Sequence, residues 1–293
     1  MSKNNVLVTG SNSGFGRLIS LALARRGHTV FATMRSKATK NASTAAELRA
    51  IAEAEQLLLH VVELDVTDDR SVSAAVRFAE SVAGHLDVVV NNAGYVLGGL
   101  NETVTPEQVL AELNTNVVGA HRVNRAVLPG LRKRGRGLII HISSIMGRLV
   151  TPFHGFYSGS KWALEAMAEG YRYELKSTGV EVSIVQPGAF KTQLSASAVV
   201  GSDSERESGY GPLAGAYAKL TAMFAETLVG PGAPDPEEVA QAVLALVESA
   251  PGTRPLRVVV DPSGGDGTAI LNQAAAQIQR QLLSAMGMSS LAD

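Results

Sequence analysis

The strongest constraint on this chain is an alternation that runs almost from end to end: short apolar, β-branched runs separated by longer stretches with helical spacing. Strands are expected at Asn5–Thr9, Thr29–Met34, Leu57–Asp65, Leu86–Asn91, Gly137–Ser143, Glu181–Gln186 and Arg257–Val260. Helices are expected at Gly14–Arg26, Ser43–Glu55, Asp69–Ala83, Pro106–Arg134, Tyr157–Ser177 and Pro236–Glu248. Strands that are apolar without interruption must be covered on both faces, and helices between them do the covering. Strand–helix–strand crossovers are right-handed, so the expected fold class is α/β: a doubly wound, seven-stranded parallel sheet with helices on both faces. Ligands of such sheets bind at the carboxyl ends of the strands, where strand order reverses.

With 293 residues the chain suits one such domain. It is expected over 1–262, followed by a helical C-terminal extension, 263–293, whose helix is placed at Thr268–Met286. Residues 188–236 are rich in Ser, Gly and Ala and too long for an ordinary connection. They read as a substrate lid inside the domain, with a helix near Leu213–Leu228.

Composition narrows the function by exclusion. Lys and Arg number 26 against 27 Asp and Glu, so there is no net field to attract nucleic acid or an acidic membrane. There is no Cys, which removes disulfides, thiolate catalysis and Cys-ligated zinc, and the six His lack metal-ligand spacing. The expectation is no metal. The chain starts without a basic, cleavable leader and no apolar run reaches the ~20 residues of a membrane span, so it reads as cytoplasmic.

The first strand runs through Thr9-Gly10-Ser11-Asn12-Ser13-Gly14-Phe15-Gly16 into a helix. Glycines allow a sharp turn and close approach of a pyrophosphate, and the helix N-terminus supplies unpaired N–H groups. The spacing departs from G-x-G-x-x-G, and no Gly-Lys-Ser/Thr of an ATP-type loop follows. After the second strand stands Arg35, where an enzyme using NAD typically has a carboxylate for the ribose 2′-hydroxyl. A guanidinium there suits a 2′-phosphate, with Ser11, Ser13 and Lys37 as possible neighbours, and so points to NADP(H). Farther on, Tyr157 and Lys161 lie four residues apart, on one helix face. An ammonium beside a phenol favours phenolate and draws the phenol toward a working pH.

Taken in order, Thr9-Gly10-(x)3-Gly14-x-Gly16, Asp65, Asn91-Asn92-Ala93-Gly94, Asn116, Ser144, Tyr157-(x)3-Lys161, Pro187-Gly188 and Thr192 resemble the short-chain dehydrogenase/reductase family over residues 5–260. Ala32-Thr33-Met34-Arg35 and the long lid are similar to its branch acting on steroids, retinoids and similar carbonyls. The resemblance implies a Rossmann fold and hydride transfer between NADP(H) and a carbonyl or secondary alcohol. It implies Tyr157 as proton donor and acceptor, Ser144 on the same substrate oxygen, Lys161 on the nicotinamide ribose and Asn116 anchoring a relay water. It also implies cofactor contacts from Gly10, Ser11, Ser13, Gly14, Phe15, Gly16, Arg35, Asp65, Val66, Asn91, Ala93, Gly94, Tyr157, Lys161, Pro187, Gly188 and Thr192.

Some assignments have alternatives. Asp65 could instead cap the next helix, Ser143 competes with Ser144, and His154 reads as a loop histidine. Tyr95, Leu97, Leu149, Phe153 and Phe190 are expected to make an apolar substrate pocket, the alternative being core. A non-catalytic NADP(H)-binding sensor or scaffold and a 3-oxoacyl-carrier-protein-type reductase are the rival functions, the second needing a basic docking patch such as Arg132-Lys133-Arg134. By analogy with the family, association into a homodimer or homotetramer runs through the helices 106–134 and 157–177.

Overall fold

The computed structural model describes residues 3–192, 197–229 and 232–292. Seven strands form one parallel sheet: β1 Asn5–Val8, β2 Thr29–Met34, β3 Leu59–Glu63, β4 Val88–Asn91, β5 Gly137–Ile142, β6 Val180–Pro187 and β7 Arg257–Val260. Their order is β3-β2-β1-β4-β5-β6-β7. The chain builds outward from β1 to β3, then returns across the sheet to lay β4 against the other side of β1. That reversal opens a crevice at the carboxyl ends of β1 and β4.

Burial explains why the strands are apolar throughout. In β1, Val6 and Val8 join one core with Ile19, Leu23, Val243 and Leu246, while Leu7 points to the other with Val76, Val127 and Ala168. Successive side chains alternate faces, and both faces are dry. Helices α1 Gly14–Arg25 and α2 Ala42–Ala54 cover the first side, and α3 Asp69–Ala83 covers the second.

Sequence spacing predicts one helix over Pro106–Arg134, and here the structure differs. Helix α4 Pro106–Leu113 passes into a π-helical segment, Asn114–Val118, before α5 Gly119–Arg134 resumes. A π insertion disturbs the backbone ladder without changing composition, so a 3.6-residue pattern cannot reveal it. Asn116 sits in that segment. Helix α6 Gly155–Leu175 then follows β5 and packs beneath β6.

Within 188–236, Val199–Val200 pairs with Leu97–Gly98, a short turn of helix spans Ser204–Ser208, and α7 Ala216–Thr227 matches the expected lid helix. Helix α8 Glu237–Glu248 returns to the core, and α9 Gly267–Ala285 forms the extension. Asn272 of α9 donates to Gln186 Oε1 at 2.7 Å, which ties the extension to β6.

A buried ionic cluster secures α6 to the last strand. Arg257 Nε lies 2.9 Å from Glu165 Oε2 and its NH2 lies 2.6 Å from Glu169, with Glu165 only 2% exposed. Removing one partner leaves buried carboxylates uncompensated, which costs far more than the pair gains. Arg257→Met should therefore lose about 3–5 kcal/mol in urea unfolding; a loss below about 1 kcal/mol would mean the cluster is wet in solution.

Candidate active site

The glycine turn after β1 is held by its neighbours rather than by itself. Gly10 has φ +70°, and a Cβ there would stand 2.9 Å from Ala93 Cα. A Cβ on Gly16 would lie 2.3 Å from the Gly10 carbonyl oxygen. Asn92 donates to the carbonyls of Thr9 and Gly10 at 2.8 and 3.1 Å, and Thr9 Oγ1 accepts the N–H groups of Asn92 and Ala93. The Asn-Asn-Ala-Gly loop after β4 and the turn after β1 are thus one stitched unit. Ser13 stands at the N-cap of α1 in extended conformation, with no capping bond from its side chain. Ser11 is different: it is fully buried, and its hydroxyl donates to Val8 O and accepts from Ser20. Its side chain is committed to the fold.

At the end of β2, Arg35 is exposed. The end of β2 itself carries no carboxylate, yet Glu63 at the end of β3 reaches across, accepting the N–H groups of Ser36 and Lys37 at 2.6 and 2.9 Å. Its charge caps the turn that presents Arg35. Asp65 Oδ1 accepts from the N–H and hydroxyl of Thr67, whereas the N-cap of α3 is Asp68, so Asp65 is not the cap. Val66 is buried in the core, and a Cβ on Gly119 would lie 2.8 Å from it. Gly188 donates to Val260 O at 2.8 Å, and Thr192 faces Gly14, whose built Cβ would lie 3.5 Å away.

Asn91 is anchored from below: its Nδ2 donates to Asn124 Oδ1 at 2.8 Å, and Asn124 Nδ2 lies 3.4 Å from His141 Nε2. Asn116 is 2% exposed and three of its side-chain bonds are made, accepting Tyr95 N–H and donating to Tyr95 O and Ser160 Oγ, each at 3.0 Å. A Cβ on Gly94 would come within 2.9 Å of that amide.

Above Asn116 the chemistry converges. Tyr157 is 5% exposed and Lys161 6%. Lys161 Nζ donates to Ile142 O at 2.9 Å and lies 5.7 Å from the centre of the Tyr157 ring. Ser144 Oγ accepts Met146 N–H at 3.1 Å and stands close enough to the phenol to oppose its rise, whereas Ser143 Oγ turns away to donate to Glu165 at 2.8 Å. The two serines are thereby separated. Burial pushes the phenol well above its ordinary value, with the Ser144 hydrogen bond opposing and the Glu112 charge adding to the rise. Burial also draws Lys161 down to about 8, against the pull of Glu112 and Glu165. Burial therefore acts on the phenol against the influence expected of the ammonium. What results is a proton-bearing phenol with a hydroxyl beside it.

Residues 4–201 of this chain match the family model of the short chain dehydrogenases. The chain belongs to the short-chain dehydrogenase/reductase family. It is 40% identical over 192 residues to a 3-ketodihydrosphingosine reductase of Bacteroides thetaiotaomicron, covering 66% of each chain. To an oxidoreductase, BOA17, of Botryotinia fuckeliana it is 31% identical, over 87% of this chain and 88% of the other. A short-chain dehydrogenase from Streptomyces avermitilis superposes with a TM-score of 0.75 at 31% identity, over 100% of this chain and 99% of that one. The match to the Bacteroides protein spans just under two thirds of that protein's length.

The expected walls of the substrate pocket divide. Leu149 is 39% exposed, and Tyr95 and Phe153 are half-buried, Phe153 with φ +64° and its carbonyl accepting Gly99 N–H at 2.8 Å. A left-handed non-glycine residue is a costly conformation that the surroundings must impose. Leu97 and Phe190 are instead core: Phe190 is 4% exposed and packs edge-on to Phe15 at 5.6 Å, beside the glycine turn. His154 is buried, not a loose loop residue, and stacks edge-to-face on Tyr217 of α7 at 5.5 Å. Sequence reasoning names Asn92 only as part of the Asn91-Asn92-Ala93-Gly94 motif and passes over Glu63, Tyr217 and Glu112, and of these three only Glu112 leaves a signal, a carboxylate one helical turn before Asn116.

Among the described residues no group of three or more His, Cys, Asp or Glu could hold a metal ion, and no helix is long and apolar enough to cross a membrane. The Asn91–Asn124–His141 chain generates a pH prediction. His141 is fully buried and burial lowers it from 6.5 to about 3, so the fold favours neutral imidazole. Its contribution is complete above pH 6.5 and is lost as pH falls toward 3. Unfolding midpoints of the wild type should drop across that window and those of His141→Gln should drop less; parallel curves would contradict the assignment.

Proposed function

We propose that this chain is an oxidoreductase that transfers hydride between NADP(H) and a carbonyl or secondary alcohol, with Tyr157 as general acid/base and an apolar ketone or aldehyde as substrate. The observation that carries the reading is the buried trio of Ser144, Tyr157 and Lys161 above the crevice. A polar cluster so far out of water is expensive, and chemistry is a reason to keep it.

The residues present fit a dinucleotide: the Gly10–Gly16 turn is packed so closely on Asn92 and Ala93 that only glycine fits at 10 and 16, and α1 starts directly from it with the Ser13 hydroxyl not used as a cap, which leaves the first N–H groups for a phosphate. Arg35 would take the 2′-phosphate, and Asp65, Asn91, Ala93 and Gly94 the adenosine side. Pro187, Gly188 and Thr192 would line the nicotinamide side. When bound, the cofactor supplies or accepts the hydride. Tyr157 gives its phenolic proton to the carbonyl oxygen as that oxygen gains charge, and Ser144 donates a hydrogen bond to the same oxygen. Lys161 keeps a positive charge beneath both. Burial favours the proton-bearing phenol, the form that reduction requires.

Leu149 and Val150, exposed on the loop after Ser144, support an apolar substrate. A solved actinorhodin polyketide ketoreductase with NADPH is similar, with a TM-score of 0.73 at 26% identity over 91% of this chain and 99% of that one. Residues 188–236 act as the lid, with Tyr217 covering Gly98, where a Cβ would lie 2.2 Å from its phenol oxygen. Against the carrier-protein reading, Arg134 is spent on Leu86 O and on Asp87 at 2.6 Å instead of offering a docking charge. Association into a dimer or tetramer is supported by exposed Leu110, Val118 and Trp162 along α4 to α6.

The test is NADPH oxidation followed by absorbance across a panel of apolar ketones and aldehydes. Tyr157→Phe should lower kcat by about 10²–10⁴-fold, and wild-type rates in that variant would mean that another group is the acid. Arg35→Ala should weaken NADPH about 10–100-fold and leave NADH unchanged; an equal loss for both cofactors would remove Arg35 from the phosphate site.

A further inference from the structure

Glu112 is fully buried, and the roles assigned above do not use it. It lies in the last turn of α4, one helical turn before Asn116 and on the same face. Its Oε1 accepts the Leu97 N–H at 3.1 Å, and its Oε2, also out of water, has no hydrogen-bond partner. A buried carboxyl with half its capacity unmet either stays neutral or, when ionised, needs a cation nearby. Helix α4 packs against α6, and Asn116 joins the two by donating to Ser160, the residue before Lys161. Lys161 and Tyr157 of α6 and Tyr95 of the loop after β4 lie within reach of the Glu112 charge. Lys161 is faced in addition by Glu165 of its own helix and by His141 of β5.

We propose that Glu112 is the counter-charge of this site, a positioning residue that, when ionised, holds Lys161 as an ammonium and Tyr157 as a phenol without touching substrate. The proposal rests on the roles given to Tyr157 and Lys161 under the proposed function.

The signs agree. A negative charge favours the proton-bearing form of each neighbour, so Glu112 raises both Lys161 and Tyr157. Burial pushes Glu112 itself up to about 7, with the Leu97 N–H and the Lys161 charge pulling it back. Below that pH the carboxyl is neutral and its influence is gone. The effect of Glu112 is therefore confined to the alkaline side of neutrality, where Lys161 would otherwise lose its proton.

Two measurements on the full chain test this. The first is nitrogen NMR of lysine-labelled protein, with the Lys161 signal identified by its loss in Lys161→Met. In Glu112→Gln the Lys161 midpoint should fall by about 0.5–1 pH unit, and in Glu112→Asp it should stay near that of the wild type. An unchanged midpoint in the Gln variant overturns the proposal. The wild-type Lys161 signal should also show an inflection near pH 7 as Glu112 ionises. Its absence overturns the proposal even if no Glu112 variant folds.

The second measurement is the pH profile of carbonyl reduction. The alkaline limb of Glu112→Gln should move down by the same amount, while rates below about pH 6 stay within about twofold of wild type. A uniform loss of kcat at every pH, with the limb in place, would mean a merely structural residue. If the wild type turns over no carbonyl, the functional reading fails, and the Lys161 midpoint still decides the role of Glu112.

Discussion

An ammonium, a phenol and a carboxyl are buried together at the carboxyl edge of the sheet, and the rest of the site is arranged to make that tolerable. Lys161 keeps one bond to the Ile142 carbonyl, the face of the Tyr157 ring and two nearby carboxylates. Asn116 ties α4, the loop after β4 and α6 together with three hydrogen bonds. The topology supplies the place: β4 returning beside β1 leaves a crevice with one wall made of the glycine turn and the other of α6.

Much of this was legible in the residues. The seven strands stand where the apolar runs stand, because a sheet covered on both faces needs apolar residues at every position. The Tyr-x-x-x-Lys spacing carried through because α6 is an ordinary helix there. What sequence could not show are the contacts set by irregular backbone and by long-range approach. The π segment at Asn114–Val118 hides in a continuous helical pattern, and the reach of Glu63 across to the turn after β2 depends on register between β2 and β3. Spacing to the tyrosine favours Ser144 over Ser143, and their partners agree: Ser143 is taken up by Glu165, while Ser144 stands beside the phenol. Phe190 looked like a pocket wall because aromatic residues in loops often are, yet the glycine turn needs an apolar backing and Phe190 gives it.

The molecule divides into a constant base and a more individual roof. The match to the family model ends at residue 201, so β1 to β6, the glycine turn and the buried trio fall within it, while α7, α8, β7 and α9 lie beyond. The roof reaches the site through Tyr217, which sits over Gly98 and stacks on His154, and through Asn272, which touches Gln186 and hence Glu165 and Ser143.

The account holds above all that the folded chain keeps Tyr157 in its proton-bearing form. Ultraviolet difference titration of phenolate in the wild type and Tyr157→Phe isolates this one side chain. The account predicts that Tyr157 adds no phenolate signal below about pH 10. A phenolate component with a midpoint near neutrality, absent from the Phe variant, would contradict it.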